Sequence, residues 1–290
     1  GMVKETIYTC YILDYSRKLE GIISLRGLVT SDPDAIIEDV MEKNVIYVHT
    51  HDDQEMVADL FKKYDFMAIP VVDKEGRLTG IITIDDIVDV IEEENTEDFH
   101  RMAAIAPSTR EYFEESVFSL ARHRTTWLLV LMISATFTGR IIQRFEDVLQ
   151  SVVVLTAFIP MLMDTGGNAG SQSSTLIIRG LALGEIKAKD ILRVISKELG
   201  VSTLIGIVLA VVNFLRIYYI EKMALDVSLT VTGTLFFTIV LAKVVGAILP
   251  IIANQFKMDP AIMAGPLITT IVDAFSLVLY FSLAVWILGI

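Results

Sequence analysis

Five stretches of this chain are long, apolar and poor in charge: 125–142, 151–178, 196–220, 229–253 and 261–290. A helix needs about 20 apolar residues to cross the hydrocarbon core of a bilayer. Lipid offers no partner for backbone N–H and C=O groups, so such stretches cross as helices that satisfy those groups internally. The sequence therefore predicts an all-α five-helix transmembrane domain over residues 125–290.

The front of the chain has the opposite character. Residues 1–120 hold 11 Lys and Arg against 26 Asp and Glu, whereas the remainder holds 13 against 10. An acidic module repels nucleic acid and the anionic inner leaflet and attracts cations, so no nucleic-acid partner is expected. The one cysteine, Cys10, excludes an intrachain disulfide. The four histidines (49, 51, 100 and 123) lie ahead of the apolar stretches. No catalytic constellation, phosphate-binding loop or Cys/His zinc spacing is visible, so an enzyme is not expected.

This acidic part repeats itself. "ILDYSRKLEGIISLRGLV" (12–29) matches "VVDKEGRLTGIITIDDIV" (71–88) at an offset that aligns Asp14 with Asp73, Gly21 with Gly80 and Ser24 with Thr83. Each copy reads as strand, turn, strand, helix. Ahead of the second copy, "DDQEMVADLFKKYDF" spaces Met56, Val57, Leu60 and Phe61 as a helix face. This β-α-β-β-α pattern, with "PVVD" followed by "GIITIDD", resembles the CBS domain, which occurs in pairs. The expected fold class is thus an α/β CBS-type cytosolic module, partly truncated, followed by the membrane helices. The first copy is expected to lack about twenty residues at its front, by the offset of the repeat, and the leading Gly1-Met2 reads as an expression scar. The CBS resemblance implies an adenine nucleotide such as ATP in the cleft between copies, with Thr83 and Asp86 as ribose contacts. The competing reading makes them a strand end and a helix cap without ligand. Ser24 and Gly27 stand at the equivalent positions of the first copy, without the acid.

Three units follow: the CBS pair over 1–95, a connecting, plug-like helix over 96–124, and the membrane domain over 125–290. The connector ends in Arg122, His123 and Arg124, and the 179–197 loop carries Arg179, Lys187, Lys189, Arg193 and Lys197. Positive charge marks the cytoplasmic side. A multi-pass protein of the cytoplasmic membrane is expected, with its N-terminal module inside and its C-terminus outside.

Charges within a span cost about 2.5–3.5 kcal/mol on insertion scales and usually face a cavity or a partner. Asp164, Lys243 and Asp273 are the three that stand out. Asp273 shares a helix face with Thr269, Thr270 and Ser276, with Gly265-Pro266 two turns earlier as an expected kink. It reads as pore-facing. Asp164 reads as a structural charge, with Lys243 as a candidate partner that Asp273 could equally claim. In "DTGGNAGSQSS", Gly166, Gly167 and Gly170 admit close approach or local unwinding, and Asn168, Ser171, Gln172, Ser173 and Ser174 offer neutral oxygens. A pore wall and a small-residue packing face are both open to this segment. One carboxylate per chain is a poor cation site, and a two-fold homodimer would bring two together.

"PMLMDTGGNAGSQSSTLIIRGLALGEI" and "DPAIMAGPLITTIVDAFSLVLYFSLA" together resemble the MgtE family of magnesium channels. The resemblance implies a homodimeric Mg²⁺-selective pore, lined by the second and fifth spans, with Asp273 as its carboxylate and Thr269, Thr270, Gly166, Gly167, Asn168, Gly170 and Gln172 in its wall. It also implies closure by cytosolic Mg²⁺ bound among Glu92, Glu93, Glu94, Glu97, Asp98 and Asp259. Two other readings remain: a gradient-coupled transporter of another divalent cation, and a membrane-anchored nucleotide sensor that conducts nothing.

Overall fold

The computed structural model describes residues 8–108, 110 and 112–289. The chain divides into two compact units, Gly1–Thr96 and Glu97–Ile290.

The first unit carries the repeat. Strands β1 (Thr9–Leu13) and β2 (Leu19–Ser24) form an antiparallel pair that leads into α1 (Leu25–Thr30), and α2 (Ile37–Val40) follows. The second copy runs β3 (Val48–His49), α3 (Gln54–Tyr64), β4 (Ala68–Val72), β5 (Leu78–Thr83) and α4 (Ile84–Met102). Its three-stranded sheet has the order β3-β4-β5, parallel then antiparallel. Val57 and Phe61 of α3 are buried with Val48, Ile69 and Ile87, whereas Met56 is 46% exposed. Three of the four apolar α3 positions thus serve the core and Met56 lies at its margin.

The two copies agree in detail. Asp14 accepts the N–H groups of Ser16 and Lys18 at 2.8 and 2.7 Å, and Asp73 those of Glu75 and Arg77 at 3.0 and 2.8 Å. Each turn needs a left-handed residue, which is Arg17 (φ 65°) in one copy and Gly76 (φ 80°) in the other. The turns also pair with each other: Leu19 N–H donates to the Gly76 carbonyl at 3.1 Å and Leu78 N–H to the Arg17 carbonyl at 3.0 Å. These bonds are related by the same offset as the sequence repeat, so the copies face each other about a local pseudo-two-fold axis.

The second unit is helical: α5 (Val117–Arg144), α6 (Glu146–Ser151), α7 (Ile159–Ala182), α8 (Ile191–Leu215), α9 (Leu225–Gln255) and α10 (Pro266–Leu288). Tight 3₁₀ turns at Val153–Phe158, Ala188–Asp190 and Pro260–Met263 precede α7, α8 and α10, and a π-turn at Arg216–Ile220 ends α8. Four helical segments among the described residues are long and apolar enough to cross a membrane: Val117–Arg144, Ala188–Ile220, Leu225–Gln255 and Pro260–Leu288. Helix α7 has 24 residues, and its polar middle keeps it out of that set.

Two expected boundaries differ. The connector is not one helix over 96–124. Helix α4 stops at Met102, Ala104 takes φ 54°, and α5 starts at Val117 behind Ser116, whose hydroxyl accepts the Ser119 N–H at 3.2 Å. Pro107 in that gap has no N–H for a helix ladder. The second span, expected from 151, becomes α-helical at Ile159. Pro160 then sits in the first turn, where its missing N–H costs nothing.

Helix α9 lies at the centre, with α7, α8 and α10 packed against it. The C-terminal half of α10 is fixed by Tyr280, whose hydroxyl donates to the Leu155 carbonyl at 2.9 Å, and by Phe281, stacked on Phe145 at 4.9 Å.

Candidate ion pore

The three glycines of α7 set how near its neighbours come. A Cβ on Gly166 would lie 2.8 Å from Thr238 Cγ2 of α9 and 2.9 Å from Val272 Cγ1 of α10. One on Gly167 would lie 2.7 Å from Thr269 Cγ2, and one on Gly170 2.7 Å from Ile268 Cγ2. Gly246 of α9 packs on the backbone of Gly170 itself. Helix α7 is unbroken over Ile159–Ala182. The structure therefore places these glycines in close helix packing, and the local unwinding expected as an alternative does not occur.

The opposite face of α7 is polar and uncovered. Asp164, Asn168, Gln172, Thr175 and Arg179 are all exposed. They recur at intervals of four, four, three and four residues, a single stripe along the helix. Thr175 and Arg179 extend this stripe beyond the α7 residues singled out from sequence. The intervening buried set is Gly166, Gly167, Ala169, Gly170, Ser173, Ser174, Ile177 and Ile178.

Asp273 stands on α10 beside this stripe, half-buried, and its Oδ1 is enclosed without a hydrogen-bond partner. Thr269 and Thr270 one turn earlier donate their hydroxyl protons to the carbonyls of Gly265 and Pro266, each at 3.0 Å. A hydroxyl that has given its proton to the backbone presents only lone pairs outward, which suits a cation or its hydration shell. Ser276 donates to the Val272 carbonyl at 2.7 Å and is buried against α7. The start of α10 is a sharp entry, with Gly265 at φ 46° and Pro266 in the first turn.

Lys243 is not paired with Asp164. Its Nζ, buried in α9, lies 3.4 Å from Gln172 Oε1 and 3.4 Å from Ser173 Oγ. Ser173 in turn donates to Glu198 Oε2 of α8 at 2.6 Å. Lys243 and Glu198 are 5% and 9% exposed, so a buried cation and a buried acid face each other across Ser173. Register explains the correction: Gln172 and Ser173, two turns further along α7, come level with Lys243. Glu198 went unnoticed in the sequence because Lys197 beside it reads as the edge of a loop. An acid three residues inside an otherwise apolar run was the available signal.

Just ahead of α10, Arg101 of α4 donates to both Asp259 and Glu97. Asp259 also accepts the Ala261 N–H at 2.7 Å, capping the 3₁₀ turn before α10. Partial burial works against the Arg101 charge, but the carboxylates of Asp259, Glu97 and Asp98 outweigh it and hold its pKa above the usual arginine value. Glu92 and Glu93 are exposed, and Glu94 accepts from Gln54 at 2.9 Å. Among the described residues no three Asp, Glu, His or Cys side chains gather closely enough to hold a metal ion by themselves. In the CBS unit, Thr83 donates its hydroxyl to Asp86 Oδ2 at 3.0 Å, so the two candidate ribose contacts bind each other at the head of α4.

Residues 159–283 match the family model of MgtE, described as a divalent cation transporter, and residues 37–93 match that of the CBS domain. The chain is 41% identical over 281 residues to the magnesium transporter MgtE of Thermus thermophilus, covering 97% of this chain and 62% of that protein. It is 39% identical to the magnesium transporter MgtE of Bacillus subtilis, again over 97% of this chain and 62% of the relative. The chain therefore spans about three-fifths of the length of these curated relatives. A solved structure of the cytosolic domain of the Mg²⁺ channel MgtE in complex with ATP is 50% identical over 30% of this chain and 35% of its own, with a TM-score of 0.29. With the polar α7 face, Asp273 and both matches in one chain, residues 159–283 carry an MgtE-type membrane domain and residues 37–93 a CBS domain ahead of it.

Proposed function

We propose that this chain conducts Mg²⁺ across the cytoplasmic membrane through a pore formed between two copies. The observation that carries the reading is the exposed row Asp164, Asn168, Gln172, Thr175 and Arg179 on a helix packed inside a membrane bundle, beside Asp273. Lipid against such a face would leave several polar groups unsatisfied. A second copy, related by a two-fold axis, would turn it inward and set two Asp273 carboxylates together. Few protein oxygens and a wide polar wall suit an ion that keeps most of its water. The relatives named as magnesium transporters support the choice of Mg²⁺.

The basic residues of the 179–197 segment support an orientation with the CBS module inside and the C-terminus outside. For gating, cytosolic Mg²⁺ would compete with Arg101 for Glu97 and Asp259, with Glu92, Glu93, Glu94 and Asp98 adding negative charge. At the CBS module an adenine nucleotide would be held through Thr83 and Asp86, and would have to displace their mutual hydrogen bond.

Uptake of Mg²⁺ into vesicles containing only this protein tests the proposal. Flux down the Mg²⁺ gradient alone, lost in Asp273→Ala, supports it. Flux that requires a proton or sodium gradient would favour a coupled transporter, and vesicles that pass no divalent cation would favour a non-conducting nucleotide sensor.

A further inference from the structure

Helices α7 and α10 run antiparallel, and their contacts fix the register. Gly170 meets Ile268, Gly167 meets Thr269, and Gly166 meets Val272 and Ser276. Asp273 is therefore about level with Thr165 and Gly166. Asp164, one to two residues nearer the α7 N-terminus, lies about 2 Å further along at 1.5 Å per residue. On the proposed orientation that direction is outward. Asp164 is exposed on the same stripe as Asn168 and Gln172, and Lys243, buried in α9, is occupied with Gln172 and Ser173. Along the helix axes Asp164 and Asp273 are thus less than one helical turn apart.

Resting on the pore reading above, we propose that Asp164 is a second ion-contacting carboxylate of the pore, placed on the outer side of Asp273, which receives incoming Mg²⁺ through its water shell. Two like charges this close are unfavourable without a counter-charge. A hydrated divalent cation supplies one, and a dimer would present two acids at each level. An ion held at Asp164 is passed to Asp273 less than one helical turn away, and a second arrival favours the departure of the first.

The test is Mg²⁺ uptake by the full chain in vesicles, as a function of external Mg²⁺. In Asp164→Asn the external concentration for half-maximal uptake rises several-fold, and in Asp164→Glu it returns toward the wild-type value. An unchanged value in Asp164→Asn would overturn the inference and leave the pore intact. Wild-type vesicles that pass no Mg²⁺ would overturn the pore and this inference with it. A second arm does not depend on recovery of Asp164→Asn. In an Asp164→Cys, Cys10→Ser protein, an impermeant thiol reagent carrying a sulfonate should restore uptake at low external Mg²⁺, and one carrying a quaternary ammonium should suppress it. Equal effects of the two reagents, or none, count against a charge-bearing role.

Discussion

The backbone of Gly170 in α7 occupies the space that any side chain on Gly246 of α9 would need. This contact brings the wall helix directly onto the central helix, and it cannot relax by a rotamer change because both partners are main chain. Gly246→Ala should therefore displace α7. The expected loss is at or beyond the ~1–3 kcal/mol typical of overpacking, seen as a lowered unfolding temperature in detergent and weakened Mg²⁺ uptake. Gly233→Ala in the same helix, where an added Cβ meets nothing within 4 Å, should leave the unfolding temperature near that of the parent protein.

The Lys243–Ser173–Glu198 network predicts a non-additive pair. Removing Lys243 alone, as Lys243→Met, leaves Glu198 buried without its facing cation, a loss on the order of 3–5 kcal/mol for a fully buried charge. The double variant Lys243→Met, Glu198→Gln removes both charges and should recover much of that loss. A thermal-stability double-mutant cycle measures the coupling, and simple additivity would show the two groups to be independent.

Arg101 holds Glu97 and Asp259 together with side chains 22–35% exposed, so the stability at stake is at most about 1 kcal/mol. The functional effect should be larger. Arg101→Gln frees both carboxylates for cytosolic Mg²⁺, so uptake should be inhibited at a several-fold lower internal Mg²⁺ concentration. Uptake into vesicles preloaded with graded Mg²⁺ reads this directly.

In the CBS unit, Asp73 is held below the ordinary carboxylate range, first by the Arg77 N–H and then by that of Glu75. A depressed folded-state pKa means that the stabilisation is fully present above about pH 4, where an unfolded aspartate is ionised, and is lost as pH falls through the lower folded value. Asp73→Asn should thus weaken the β4–β5 turn at neutral pH, with the difference shrinking below about pH 4. Hydrogen exchange of the Glu75 and Arg77 amides tests this at single-residue level.

Local chemistry was the legible part of the sequence. Asp14 and Asp73 announced two equivalent turns because an aspartate two and four residues ahead of free amides is a local device. The apolar runs announced helices because lipid permits little else. What depended on register between helices was not legible. In sequence Lys243 is open to either Asp164 or Asp273, whereas the packing of Gly166, Gly167 and Gly170 against α10 sets the two acids near one level and Lys243 beside Gln172 and Ser173. Glu198 was hidden by the lysine next to it. The connector broke at Ala104 because a left-handed residue and Pro107 act over a few positions that an amphipathic pattern averages out.

The central claim is that Asp273, walled by the polar face of α7, carries Mg²⁺ through the membrane. The most direct measurement is Mg²⁺ uptake into vesicles of the purified protein, wild type against Asp273→Ala, with both shown to be folded and of the same oligomeric state. The account predicts uptake driven by the Mg²⁺ gradient alone in the wild type and its loss in the variant. Equal uptake by the two would contradict it.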